Sequence, residues 1–373
     1  MFLALREIKH AKTRFFLIST ILILISWLVF ILSGLGNGLA NLSAATFKRI
    51  DAHYAVFEDG ARHSTLRSVI SENMIDDLER FENVEAAAPL GTHTAVVLKE
   101  GTSGDDAKID VSLLGINPGT FMEPKVTEGK QLDANNDEGV LVNAVLKDNG
   151  IELGDYLEVE GSDEKFKVIG FVENESFNHL PAIFTTMDMW RTIHFAAPGS
   201  DRGVEKPVNA IMLRGENIEP ETIDQAIDGI ETVTKKDAIN GIPGFTAENG
   251  TIMMMLSFLF VISAFVIAVF FYVLTLQKTN QFGVMKAIGA SNGFLGKSII
   301  AQVSIISFIS IAIGVALTYA TAAVFPEGMP FSLDEKLIIT YSIVLFSVSV
   351  LSSLISVRKV TKIDPLQAIG RVE

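Results

Sequence analysis

The chain has 373 residues, 49% of them hydrophobic, with a mean hydropathy of +0.37 and a formal net charge of −14. So apolar a composition asks for membrane spans before soluble domains, and the absence of cysteine excludes disulfides, thiolate metal sites and thioether-linked heme. The charge is unevenly divided: residues 38–249 hold 18 basic against 38 acidic side chains, and the remainder 12 against 6. An acidic soluble domain grafted onto a basic membrane part argues against nucleic acid as a partner, because phosphate binding needs an exposed basic surface.

Residues 1–14 (MFLALREIKHAKTR) interleave Phe2, Leu3, Leu5 and Ile8 with Arg6, Lys9, Lys12 and Arg14. This reads as an amphipathic helix on the inner leaflet, with its basic residues holding the N-terminus in the cytoplasm. Residues 15–47 then carry no charge and exceed the roughly 20 residues that cross a hydrocarbon core. The run is longer than the apolar core of a signal peptide, so an uncleaved span is expected. Its outer end places Gly34 and Gly38 four residues apart, a pattern that permits close backbone approach either in a dimer or against another span of the same chain. Asn37 and Asn41 add a polar edge where an unpaired amide would be costly.

Residues 48–248 read as an extracellular α+β domain. The spacing predicts a helix over Ser71–Phe81 and strands at Val84–Pro89, Thr94–Leu98, Ile109–Leu114, Gly139–Val142, Tyr156–Val159, Phe166–Val172, Ala182–Thr185 and Asn209–Leu213. A second helix is expected over Ile218–Ile230, with a mostly β subdomain inserted between about residues 100 and 180. Gly241–Gly250 is read as a helix-breaking linker. A second charge-free run spans 249–277 and opens on Met253, Met254 and Met255, whose thioethers suit irregular packing and can also ligate heme iron.

The connector 278–297 carries Lys278, Lys286 and Lys297 and no acid, which places it in the cytoplasm. Gly296-Lys297-Ser298 imitates the end of a phosphate-binding loop, but Ser291 stands where the earlier glycine is needed and no strand precedes it, so ATP is expected to be hydrolysed elsewhere. A basic turn lying on headgroups is the plainer reading of the connector. A third span follows at 298–325, with Gln302, Ser304, Ser307, Ser310 and Thr318 suited to interhelical contacts. An extracellular loop occupies 326–336, a fourth span 337–357, and a basic cytoplasmic tail 358–373.

Between its lysines the connector resembles the loop of ABC-transporter permeases of the macrolide-exporter and lipoprotein-release type: Gly283, Met285, Lys286, Ala287, Gly289, Ala290 and Ser291 match, while Gln281 replaces a common acid. Asp364, Pro365 and Ala368 resemble that family's C-terminal turn, and the order of spans is also similar to it. The opening residues and the text VIGFVENESFNHLPAIF further resemble the permeases of Gram-positive heme-efflux transporters.

The resemblance implies a multi-pass plasma-membrane protein with both termini cytoplasmic. It implies a homodimer bound to two ATPase copies, with no permanently held cofactor and heme as substrate. ATPase coupling would then involve Gln281, Phe282, Gly283, Met285, Lys286, Ala287 and Gly289. A heme pocket is expected at Gly34, Asn37, Gly38 and Asn41 with Met253, Met254, Met255 and Phe258. Any of the three methionines is a candidate iron ligand, with Tyr54 and His179 as further candidates. Export of a peptide or macrolide, and a non-transporting signalling permease, remain as alternatives. An intramembrane enzyme is discounted because the spans carry no charged pair or His cluster.

Overall fold

The computed structural model describes residues 12–326 and 329–361. The N-terminal stretch 1–11 and the C-terminal Asp364–Ala368 motif lie outside the described residues. Two compact units divide between Gly38 and Leu39 and again between Asn249 and Gly250.

Among the described residues four helices are long and apolar enough to cross a membrane: α1 (Lys12–Arg49), α6 (Phe245–Gln277), α8 (Asn292–Ala322) and α9 (Glu335–Thr361). Helix is the form available to an isolated apolar run in lipid, since each backbone donor must find its acceptor within the segment. α6 begins at Phe245, so Gly250 lies inside it; the linker expected at Gly241–Gly250 ends earlier, at Gly244. Within the membrane unit, Phe15, Ile18 and Leu22 of α1, Ile267, Phe271 and Leu274 of α6, and Leu295, Ile299, Val303 and Ile306 of α8 form one buried cluster. A polar seam accompanies it. Ser26 Oγ donates to Ser310 O at 3.4 Å, Trp27 Nε1 donates to Thr321 Oγ1 at 3.1 Å, and a Cβ at Gly314 would collide with Ser26. Gln302, Ser307, Ser310 and Thr318 are buried, as expected of a span rich in interhelical contacts.

The outer unit, Leu39–Asn249, is built on β1 (Tyr54–Glu58), β2 (Ile70–Ser71), β3 (Ala86–Lys99), β4 (Ile109–Ile116), β5 (Val126–Gly129), β6 (Gly139–Asn143), β7 (Tyr156–Val159), β8 (Lys165–Val172), β9 (Ser176–Phe177), β10 (Leu180–Thr186), β11 (Pro207–Val208), β12 (Ala210–Arg214) and β13 (Ile230–Thr234). Its main sheet runs β13-β1-β12-β3-β4-β10-β6-β8-β5, and β7 pairs with both β3 and β8. That double pairing closes β3, β4, β10, β6, β8 and β7 into a six-stranded ring. The strands expected as a mostly β insertion between about residues 100 and 180 supply most of this ring, and the single strand β3 ties it to the rest of the sheet by belonging to the ring at one end and pairing with β12 at the other.

Short helices decorate this sheet. Ser71 caps a single 3-10 turn followed by α2 (Ile75–Leu78), shorter than the expected Ser71–Phe81 helix. α3 (Met187–His194), capped by Thr186, was not legible as a helix, and its Trp190 is fully buried. α4 (Pro220–Ala226) is shorter than the predicted Ile218–Ile230 helix: the backbone is already extended at Ile227, and Gly229, at φ +81°, then turns the chain into β13. α5 (Lys235–Asn240) completes the set.

Candidate functional site

The connector between α6 and α8 folds as α7 (Thr279–Ala287). Gly289, at φ +102°, turns the chain where a side chain would be strained, and Ser291 Oγ then caps α8 by accepting from Phe294 N at 3.2 Å. Phe282 and Gly283 are buried within the bundle, where Phe282 joins Phe15, Leu274 and Leu295. These two expected coupling residues therefore hold the helix in place and cannot form its outer face. Met285 and Lys286 are half-buried, and Gln281, Ala287 and Gly289 are exposed. Between Thr279 and Gly289 the most exposed large apolar side chains are Val284 at 45% and Ile288 at 80%. Sequence reasoning missed Ile288, although its position between the matched Ala287 and Gly289 was the available signal.

At the other end of the membrane unit, the room expected beside Gly34 and Gly38 is occupied. A Cβ at Gly34 would collide with the Phe331 ring, and one at Gly38 with the Pro330 carbonyl. Asn37 Nδ2 donates to Ser332 O at 3.1 Å, and Ser332 N donates to Gly34 O at 3.0 Å. The small-residue face of α1 thus seats the chain's own segment 330–332, and Asn37 satisfies its amide there. Gly36 faces Ile252 of α6 in the same way. Close intrachain packing, not space for a ligand, explains these residues.

Met253, Met254, Met255 and Phe258 lie on α6 with 59%, 55%, 43% and 61% of their surface exposed. They leave apolar surface of α6 open, each being partly covered. Asn41 belongs to the outer unit, where Lys48 Nζ donates to its Oδ1 at 3.0 Å. Tyr54 sits in β1 between Leu213 and Thr234, and His179 lies at the tip of a hairpin in the outer unit. Among the described residues no group of three or more His, Cys, Asp or Glu side chains comes together to hold a metal ion.

The outer unit carries one further titratable cluster. His93 Nδ1 and His194 Nδ1 lie 2.9 Å apart, and the His194 ring stacks on Trp190 with centroids 4.7 Å apart. Burial, reinforced by His93, pushes His194 down to about 4.

Two family comparisons cover most of the chain. The MacB-like periplasmic core domain matches residues 15–233, and the FtsX-like permease C-terminal region matches residues 253–365. A Staphylococcus epidermidis protein provisionally named hemin transport system permease protein HrtB is 28% identical over 99% of both chains. An uncharacterized ABC transporter permease of Mycobacterium tuberculosis is 25% identical over 99% of both. The periplasmic region of MacB from Actinobacillus actinomycetemcomitans aligns with 51% of this chain and 92% of its own at 12% identity and a TM-score of 0.36.

Proposed function

This chain belongs to the MacB/FtsX type of ABC transporter permeases, and on that premise we propose that it is the membrane subunit of an efflux transporter that removes heme from the bilayer. Its place in the family makes it a permease subunit and not the ATPase, and such a permease works with a separate ATPase. The observation that carries the heme reading is the full-length similarity to the staphylococcal protein named as a hemin permease.

The chemistry of the chain is compatible with that cargo. Heme is a flat apolar ring with two propionates and an iron that accepts thioether sulfur. The exposed face of Met253, Met254, Met255 and Phe258 offers apolar contact and three such sulfurs on adjoining positions of one helix. In a homodimer that face would meet lipid or the second copy, so a ligand arriving from the bilayer reaches it without crossing water.

Coupling to ATP follows from α7. In this reading the ATPase pair takes up Val284 and Ile288, while buried Phe282 carries the displacement into the cluster that joins α1, α6 and α8. The transfer works only if the ATPase binds one arrangement of the helices more tightly than the other. The cytoplasmic placement of α7 and of both termini is part of the same proposal.

The test is hemin titration of the purified chain assembled with its ATPase in lipid nanodiscs, followed by absorption spectroscopy and ATP turnover. A saturable Soret shift with hemin-stimulated turnover supports the proposal. Turnover stimulated by a peptide or macrolide but not hemin, or an assembled complex unresponsive to any of them, would replace heme export with one of the alternatives.

A further inference from the structure

The text that resembles heme-efflux permeases, VIGFVENESFNHLPAIF, has no role in the site described above, yet its middle is tied to α1 and α6 at several points. β9 and β10 pair with Phe177 opposite Leu180 and Ser176 opposite Pro181, so Asn178 and His179 form a two-residue turn. Both have left-handed backbone, at φ 50° and 66°. Such a turn favours Asn followed by Gly, and a histidine held there instead points to a task for its ring.

The surroundings of the turn supply the task. Where α1 kinks at Ala44, Asn178 N donates to Ser43 O at 2.9 Å and His179 N to Leu42 O at 3.1 Å. Ser176 Oγ donates to Asn41 O at 3.0 Å, Arg49 Nη1 donates to Glu173 O at 2.6 Å, and Phe177 stacks on Phe47 with centroids 5.2 Å apart. Arg49 also pairs with the buried Glu175 at 3.5 Å. From this tip His179 Nε2 reaches Glu248 Oε1 at 3.1 Å and Ser43 Oγ at 3.1 Å, while Ser43 Oγ lies 3.4 Å from Glu248 Oε2. Glu248 stands in the first turn of α6. One imidazole thus joins the outer turns of the two long helices to the sheet.

Serine, histidine and glutamate together suggest a hydrolytic triad, but the geometry opposes it. Hydroxyl and carboxylate converge on the same ring nitrogen, whereas a relay needs them on opposite nitrogens, and Ser43 is fully buried.

We propose that Glu173–His179 is a coupling clasp and that His179 is a positioning residue for transport, holding the outer ends of α1 and α6 in register with the domain so that a stroke of the helices moves it. This rests on the transporter reading. The decisive variant is His179→Gly, because glycine relieves the left-handed backbone while deleting the ring. A purely structural turn residue would leave its activity unchanged and its melting temperature equal or higher. The clasp predicts an unchanged or higher melting temperature, unchanged hemin affinity and basal ATP turnover, and a substrate-stimulated increment reduced about fivefold or more. His179→Gln, which restores a nitrogen donor at similar reach, should recover most of that loss.

Hydrogen exchange at residues 176–181, measured on the assembled complex with and without ATP and vanadate, supplies a readout that needs no hemin. The wild-type hairpin should respond to nucleotide and the His179→Gly hairpin should not. A complex that ignores hemin but keeps this nucleotide response overturns the heme reading and leaves the clasp standing. Equal nucleotide responses in both proteins, a silent wild-type hairpin, or full stimulated turnover in His179→Gly would overturn the clasp.

Discussion

Acidification should unfold the outer domain earlier than its carboxylates alone require, and the source is the His93–His194 contact. In the folded protein burial, together with the neighbouring His93, lowers His194 from 6.5 to about 4, and burial lowers His93 as well. Because the folded value lies below the unfolded one, the unfolded chain binds more protons between pH 6.5 and about 4. Stability therefore falls as pH drops through that window and levels off beneath it. A displacement from 6.5 to about 4 is worth about 3.4 kcal/mol at 1.36 kcal/mol per pH unit; the ring is partly exposed, so solvent screening brings this to about 2 kcal/mol. The assay is denaturant unfolding of the full chain in detergent at pH 7.0 and 4.5, followed by Trp190 fluorescence in a Trp27→Phe background. Trp190 stacks directly on His194 and so reports the contact itself. Carboxylates titrate in the same range, so the quantity of interest is the difference from His194→Gln. That variant should lose about 2 kcal/mol less than the parent on acidification, and identical losses in the two proteins would refute the reasoning.

Other outcomes follow from the packing. Gly91→Val should destabilise the outer unit by about 1–3 kcal/mol or more in the same unfolding assay, since any Cβ there meets the Trp190 indole. Ile288→Asp should weaken co-purification with the ATPase while leaving the melting temperature within about 1 °C, because a side chain 80% exposed contributes little to the fold. Replacing Met253, Met254 and Met255 together by leucine should weaken hemin binding about tenfold and alter the Soret band if a sulfur ligates the iron; an unchanged spectrum and affinity would remove them as ligands. Glu175→Gln should be neutral or mildly stabilising, since burial, opposed by Thr46 and Arg49, raises that carboxyl. A raised carboxyl contributes stability that is lost as pH climbs through its folded value, so the gain from the amide should grow as pH rises from the ordinary carboxylate range through that value and then level off.

The membrane part was readable because charge-free runs longer than 20 residues have few other fates. The strands at Ile109–Leu114 and Tyr156–Val159 were readable from alternation and turn residues. What escaped depended on distance in the chain. The predicted helix reached Ile230, and β13 beyond it went unread because only pairing with β1, some 180 residues earlier, makes Ile230–Thr234 a strand. α3 carries two methionines and a tryptophan among polar residues, too short a run to show a period. At the candidate site, residue types marked the glycines as points of close approach without saying what approaches them. A small residue signals that something comes close; whether that is a ligand or Phe331 is decided by the fold. Phe282 was likewise recognisable as part of a motif, while its burial was not.

The long reach between β1 and β13 also governs how the protein is made. Tyr54 lies opposite Thr234, so the first strand to leave the translocon has no edge partner until nearly the last of the domain has crossed. Contacts so far apart in sequence form slowly, and an unpaired strand edge exposed meanwhile invites association with other nascent chains. Biogenesis at the outer surface should therefore depend on folding helpers stationed there, and slowing synthesis near residue 230 should cost more correctly assembled protein than a pause of equal length within α8.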